Sequence, residues 1–504
     1  MKKYKQTFLN LSTNFLAFLI QFVISFFVTR TVIEVAGQEA NGFLSMANDF
    51  IVYLSVISSV LNSVVSRFIT LALNSNNAEK AKRYYNSTLL ANLVLAAFFA
   101  ILGVLFIPNM DKVLDINPNL VNSVKITFML TLITYIITVI TSIFTVGTYV
   151  KNRLDINAVR NTVQYLIRLI LIVIFFVTLD VQIYFVSVAS LVAAFGIAIA
   201  NIKLNKVLLP ELKFDINYFS IEAVKEIVAS GCWISLSNLS TIFIRYLDLI
   251  VSNLFLGAVA MGLLSSARTM PNYITSLVTT MGALFSPEFV IAYAKNDIND
   301  LVIKVKRAMK LMALMLYVPI CGFIMLSDTY YSLWLHSVPQ EEIRVIITLS
   351  TITVIQAFFN SATLPVSQLS VVTNKVKLPV VVSFLCGIGN LVVVSLLLKF
   401  SSLGVYAIVL SSTGILLLRY IVFNCWYGEY MLGIKSGTFF SQLWSIVLLI
   451  PILLVSFWGI KRLVNPYSWI TFIACSAICG IVGYGEAILY LEGKKIVRRI
   501  RKSR

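Results

Sequence analysis

An arginine and an aspartate, Arg245 and Asp248, stand in the middle of an apolar stretch over 232–255, on a line of polar residues that also holds Asn238, Thr241 and Ser252. Steps of three and four residues put all five on one face of a helix. An ionisable pair inside a membrane helix is costly, so it faces a bundle interior or a watery cavity and not lipid. Arginine carries a rigid fork of donors and keeps its charge at any cellular pH, which suits two-point binding of carboxylate or phosphate. The chemistry expected here is anion binding, with Asp248 neutralising Arg245 until an anion arrives. The alternative is a permanent ion pair that only fixes the helix.

Three further arginines, Arg30, Arg67 and Arg268, belong to apolar stretches with polar lines of their own. These lines are Asn14, Gln21, Ser25 and Thr29; then Asn48, Ser55, Ser59, Asn62 and Ser66; then Thr269, Asn272, Ser276, Thr279 and Ser286. Such residues either line a wet cavity or hydrogen-bond between helices, and the arginines beside them favour the cavity. Set against Asp49 and Asp248, the four arginines give a net positive site, so the expected cargo is an anion. Arg30, Arg67, Arg245 and Arg268 are the candidate anion ligands. Asn14, Gln21, Asp49, Asn238, Asp248 and Asn272 are their polar and charged companions. Arg168 and Arg419 lie nearer the ends of their stretches and are expected to snorkel.

The elements that must position these residues are set by composition. Of 504 residues, 59% are hydrophobic and 12% charged, and the mean hydropathy is +0.90, which indicates a polytopic membrane protein. One crossing takes about 20 apolar residues. Fourteen stretches qualify, at 8–33, 42–70, 87–107, 124–148, 161–178, 184–202, 231–255, 260–287, 309–334, 343–370, 379–399, 404–426, 442–460 and 467–490. The first is too long, and too polar at its end, for a cleaved signal peptide and is expected to be retained. Connections on the side of the termini hold 28 Lys and Arg against 6 on the other, which predicts cytoplasmic termini in a bacterial inner membrane.

The net charge of +18 is therefore mostly topology signal and calls for no nucleic acid. The basic tail over 494–504 also suits anionic lipid headgroups. Six cysteines, all in or at the ends of apolar stretches, and a single histidine, His336, offer neither a disulfide framework nor a metal site. There is no Gly-rich Lys-Ser/Thr loop for ATP, so no cofactor is expected. Coupling to H+ or Na+ through Asp248 or Glu486 stays open.

Residues 37–47 and 257–267 match at a constant offset: Gly37/Gly257, Ala40/Ala260, Gly42/Gly262, Leu44/Leu264, Ser45/Ser265 and Ala47/Ala267. Internal repeats are a common plan for membrane transporters. The expected fold is all-α: fourteen transmembrane helices, two pseudo-repeat six-helix lobes around a central cavity and two C-terminal helices. The divisions are an N-terminal lobe at 1–202, a linker at 203–230, a C-terminal lobe at 231–428, and the last two helices with the tail at 429–504. Within the linker, 220–230 reads as a helix along the membrane surface capped by Ser220, and 297–310 reads likewise. The almost wholly apolar stretch at 442–460 reads as lipid-facing.

The run over 230–269, with Trp233, Asp248, Gly257, Gly262 and Ala267, resembles the seventh and eighth helices of bacterial polysaccharide flippases of the Wzx type. SPEF at 286–289, LWL at 333–335 and NKVKLP at 374–379 fit the same pattern. These proteins belong to the multidrug/oligosaccharidyl-lipid/polysaccharide exporter superfamily. The resemblance implies alternating access and a cargo of undecaprenyl-pyrophosphate-linked oligosaccharide, moved to the outer leaflet for O-antigen, capsule or exopolysaccharide assembly. It also implies a polysaccharide polymerase and its assembly machinery as partners. Other readings are a lipid II-type flippase, a multidrug exporter of the same superfamily, and a membrane glycan polymerase or ligase. The exporter would want an acidic cavity and the enzyme a large catalytic loop, so no enzyme activity is expected.

Overall fold

The apolar runs fold into helices throughout, and in the computed structural model every regular element among the described residues is helical. The structure describes residues 2–151 and 153–503, with side chains for 16, 18–151, 153, 155–157 and 159–491. Asn14 and the basic tail over 494–504 therefore fall outside the described side chains. Two compact units divide the chain, Met1–Ser265 and Ser266–Arg504.

In the first unit, α1 (Lys2–Asn62), α2 (Val65–Asn74), α3 (Ala78–Phe106), α4 (Val121–Thr141) and α5 (Val146–Val150) are followed by α6 (Leu154–Thr178), α7 (Ile183–Leu208), α8 (Ile221–Thr241) and α9 (Asp248–Leu256). The unit boundary falls inside α10 (Ala258–Gly282). Then come α11 (Ser286–Ala294), α12 (Ile298–Trp334), α13 (Gln340–Ser367), α14 (Leu369–Val372), α15 (Lys377–Phe400) and α16 (Val405–Leu418). The chain finishes with α17 (Cys425–Leu432), α18 (Thr438–Val447), α19 (Leu449–Val464) and α20 (Trp469–Ser503).

Among the described residues, thirteen helical stretches are long and apolar enough to cross a membrane. The first runs 57 residues, Phe18–Asn74, and holds two of the stretches expected from sequence. At 1.5 Å per residue it would measure about 85 Å if straight, against about 30 Å of hydrocarbon. It is not straight: Gly37 leaves helical geometry at φ 84°, ψ 174°.

The repeat seen in the sequence continues in the backbone. Gly257, 220 residues after Gly37, separates α9 from α10 with φ 90°, ψ 174°. The turn at 63–64 that ends α1 corresponds to the short 3-10 turn Ala283–Phe285 that ends α10. Asn76 and Asn296 both take positive φ, 55° and 58°. Each is followed by a side-chain cap: Asn77 accepts from the Lys80 N–H at 2.9 Å and Asp297 from the Asp300 N–H at 2.9 Å. Caps of this kind satisfy N–H groups that the first helical turn leaves open.

Two expectations need correcting. Ser220 does cap a helix, accepting from the Ala223 N–H at 3.3 Å, but that helix runs unbroken to Thr241, so 220–230 is the foot of a long apolar helix. Likewise 297–310 opens the 37-residue α12. Helical hydrogen bonding continues through both because no Pro interrupts the junctions with the apolar runs, and the one glycine there, Gly231, is tolerated inside a helix.

The core of the second unit forms around α12. Tyr317 donates to the Phe358 carbonyl at 3.2 Å and Tyr331 to the Ser350 hydroxyl at 2.8 Å, both on α13. Leu443, Ile446, Leu449, Leu453 and Phe457 are fully buried in this core. Their spacing of three and four makes one face of α18 and α19 a packing face, so 442–460 is not simply lipid-facing. Glu429 holds the preceding loop: its carboxylate accepts from the N–H groups of Gly437 at 2.8 Å and Phe439 at 2.6 Å.

Candidate functional site

Arg245 sits in a π-helical turn, Ile242–Tyr246, between α8 and α9. The turn is closed by the Leu247 N–H donating to the Ile242 carbonyl at 3.2 Å, five residues back. Such a turn holds one residue more than an α-turn and occurs often at functional sites. It also rotates everything beyond it, so the five-residue line read from ideal spacing does not hold as a single face. Ser252 is fully buried, while Thr241 is exposed and Asn238, Arg245 and Asp248 are half-buried.

Tyr53 of α1 donates its hydroxyl to the Tyr246 carbonyl at 2.6 Å. The carbonyl is thus satisfied where the irregular turn disturbs the regular ladder. The same two helices touch again lower down. Ser59 and Ser235 share a hydrogen bond of 2.8 Å, Asn238 donates to the Ser59 hydroxyl at 3.2 Å, and a Cβ on Gly231 would collide with the Val60 carbonyl. Asn62 exchanges amide hydrogen bonds with Asn92 at 3.0 Å and accepts from Ser142 at 2.9 Å. Ser59, Asn62 and Asn238 therefore hold helices together, the packing use of intramembrane polar residues.

Arg30 forms an ion pair with Glu34 at 2.8 Å, with about a third of each side chain exposed (32% and 30%). Glu34 was not among the residues expected at the site, although its i+4 spacing from Arg30 marks an ion pair on a helix. Its carboxylate lowers the positive excess read from the sequence. Asp49 is buried. Gln21 is exposed, and Arg67 is exposed on α2, beyond the turn that ends α1. In the second unit Arg268 is buried and Asn272, one turn further along α10, is exposed.

Close to the Gly257 break, the loop after α3 is tied down. The Asp115 N–H donates to Asn253 Oδ1 at 3.0 Å, Asn253 Nδ2 donates to the Asp115 carbonyl at 3.0 Å, and the Asp115 carboxylate accepts from the Ala258 N–H at 3.1 Å. The Asn117 N–H donates to Glu39 at 2.7 Å. One loop therefore holds the chain just after both glycine breaks. Nothing in the sequence patterns had joined Asp115 or Glu39 to these positions.

The kinked, repeated helices, with charge inside apolar spans, are those of a membrane protein that shares the fold of MATE-family transporters. A multidrug resistance transporter of the MATE family, in its inward-facing conformation, superposes with a TM-score of 0.68 at 14% identity, covering 84% of this chain and 94% of that one. The lipid II flippase MurJ, in an inward closed conformation, superposes at 0.67 and 13% identity, covering 96% and 99%. The chain belongs to the polysaccharide biosynthesis protein family, which matches residues 4–289. It is 27% identical over 433 residues to the uncharacterized membrane protein EpsK of Bacillus subtilis (strain 168), covering 86% of this chain and 85% of that protein.

Proposed function

We propose that this chain is a flippase that carries an undecaprenyl-pyrophosphate-linked oligosaccharide from the cytoplasmic to the outer leaflet by alternating access. The observation that carries the reading is Arg245, a fixed cation held half-buried in a π-turn of a membrane helix. A pyrophosphate needs a cationic counterpart while its lipid tail stays in hydrocarbon, and an intramembrane arginine supplies one. Within the same unit, Arg30 and Arg67 extend the anion site. Exposed Asn, Ser and Thr side chains offer hydrogen bonds to sugar hydroxyls. Family membership and the near-complete overlap with a lipid II flippase fold support a lipid-linked glycan as cargo.

The kinked first stretch counts as two crossings, giving fourteen. The bias of Lys and Arg puts both termini in the cytoplasm of a bacterium. The protein acts as a transporter without catalysis or cofactor, and Asp248 or Glu486 is the coupling group if an ion drives it. Glu486 already accepts from Ser456 at 2.6 Å on one oxygen. Deleting the gene tests this reading. Lipid-linked glycan is expected to accumulate in the inner leaflet, out of reach of an external lectin, and to be released by the wild-type gene but not by Arg245→Ala. Unchanged surface polysaccharide in the deletion strain argues for another cargo.

A further inference from the structure

At the start of α8 and along α3, two cavities are lined by neighbouring residues. One, of about 240 Å³, is lined by polar groups including Lys80, Arg83, Tyr84, Glu222 and Glu226. The other, of about 960 Å³, is lined only by apolar residues, among them Ile57, Leu90, Val94, Phe219, Ile221 and Val228. On α8 the residues interleave, Glu222 and Glu226 facing one cavity and Ile221, Val224 and Val228 the other. On α3 the polar lining ends at Tyr84 and the apolar lining starts at Leu90, about 9 Å further along the helix.

The linker that reaches the groove is pinned to α3. Asn86, fully buried, accepts from the Asp215 N–H at 2.8 Å and donates to the Lys213 carbonyl at 3.3 Å; Ser87, also fully buried, accepts from the Ser220 N–H at 2.8 Å. These bonds fix the strand of linker that carries Ile216 and Phe219 into the groove. Charge in the polar cavity is mixed. Arg83 pairs with Glu79 at 2.7 Å, Ser220 donates to Glu222 at 2.7 Å, and Tyr84 donates to Glu226.

We propose that groove and polar cavity together seat one phospholipid with a zwitterionic amine headgroup, phosphatidylethanolamine. One hydrocarbon chain fills the groove. The phosphate lies by Lys80 and Arg83 at the N-terminal end of α3, a position that favours anions. The ammonium lies by Glu222 and Glu226. Three carboxylates against two cations suit a headgroup bearing both signs and oppose a pyrophosphate, so this site is separate from the one proposed for cargo and stands whatever that cargo is.

Native mass spectrometry of the delipidated full chain, titrated with phosphatidylethanolamine, phosphatidylglycerol or undecaprenyl phosphate, tests this. One phosphatidylethanolamine should be retained in preference to the other two. Ala91→Trp, and Val94→Trp at an exposed position that tolerates bulk, should each remove that bound lipid while the protein elutes as folded. Glu226→Gln should weaken retention about threefold, the size of one partly exposed charge contact, without changing phosphatidylglycerol binding. Equal retention of the two phospholipids, displacement by undecaprenyl phosphate, or unchanged binding in folded Val94→Trp protein would overturn the proposal.

Discussion

The hydroxyl of Ser265 donates to that of Ser45 at 2.7 Å, and the two residues are equivalents across the 220-residue repeat. Contact between equivalent positions is the mark of a two-fold relation, in which each patch meets its own copy. Gly42 and Gly262, one turn earlier, behave the same way: a Cβ on Gly42 would stand 3.0 Å from the Gly262 Cα. Small residues let these backbones approach closely, as in other membrane helix pairs. The repeat is therefore a pairing surface as well as an echo in sequence.

Gly262→Leu should be strongly destabilising. A Cβ at this position already collides with the Gln38 carbonyl, and backbone cannot swing aside as a side chain does. Overpacking of this kind costs about 1–3 kcal/mol, to be read as a lowered melting temperature in detergent. Ser45→Ala, which only removes one hydrogen bond between helices, should cost about 0.6 kcal/mol.

Gly37 and Gly257 share a backbone region, near φ 84–90° and ψ 174°, that is essentially restricted to glycine. Gly37→Ala and Gly257→Ala should each lose about 1–3 kcal/mol in the same thermal assay. No neighbour lies within 4 Å of a Cβ on Gly37, so its loss would report backbone strain alone. A neutral Gly37→Ala would mean that the break is not needed in this form.

The π-turn should matter more for transport than for stability. Tyr53→Phe leaves the Tyr246 carbonyl without its donor, at about 1 kcal/mol. Deleting Ile244 should convert the turn to regular helix and shift Arg245 around the axis relative to α8, by up to one residue's step of about 100°. Stable, folded protein with transport abolished is the expected outcome, measured by expression level beside surface polysaccharide.

Asn253→Ala should loosen the loop that carries Asp115, because it removes both hydrogen bonds of the side chain. Two exchanged hydrogen bonds are worth about 1–3 kcal/mol together. Faster amide hydrogen exchange over 113–118 and at Ala258 would show it.

Much of the fold was legible because membrane helices announce themselves by length and apolarity, and the repeat by glycines that no other residue replaces. The interruptions were not. A π-turn follows from a hydrogen bond five residues back, and no residue type in 242–246 demands one. The helix start at Ser220 was found by its cap and that at 297 by its amphipathic pattern, whereas their continuation into the membrane was missed because amphipathic patterning resembles a surface helix. At the site, Glu34 escaped notice by lying just beyond the apolar stretch that ended at 33. Ser59 and Asn62 looked like cavity lining until their partners on other helices, Ser235 and Asn92, were visible.

The most direct test of the central claim is translocation of a fluorescent undecaprenyl-pyrophosphate oligosaccharide across liposomes containing the wild type, Arg245→Ala, Arg245→Lys or Asp248→Asn. The account predicts flipping by the wild type, none by Arg245→Ala, and partial recovery with lysine, which keeps the charge but lacks the two-point fork. Wild-type rates in folded Arg245→Ala protein would contradict it.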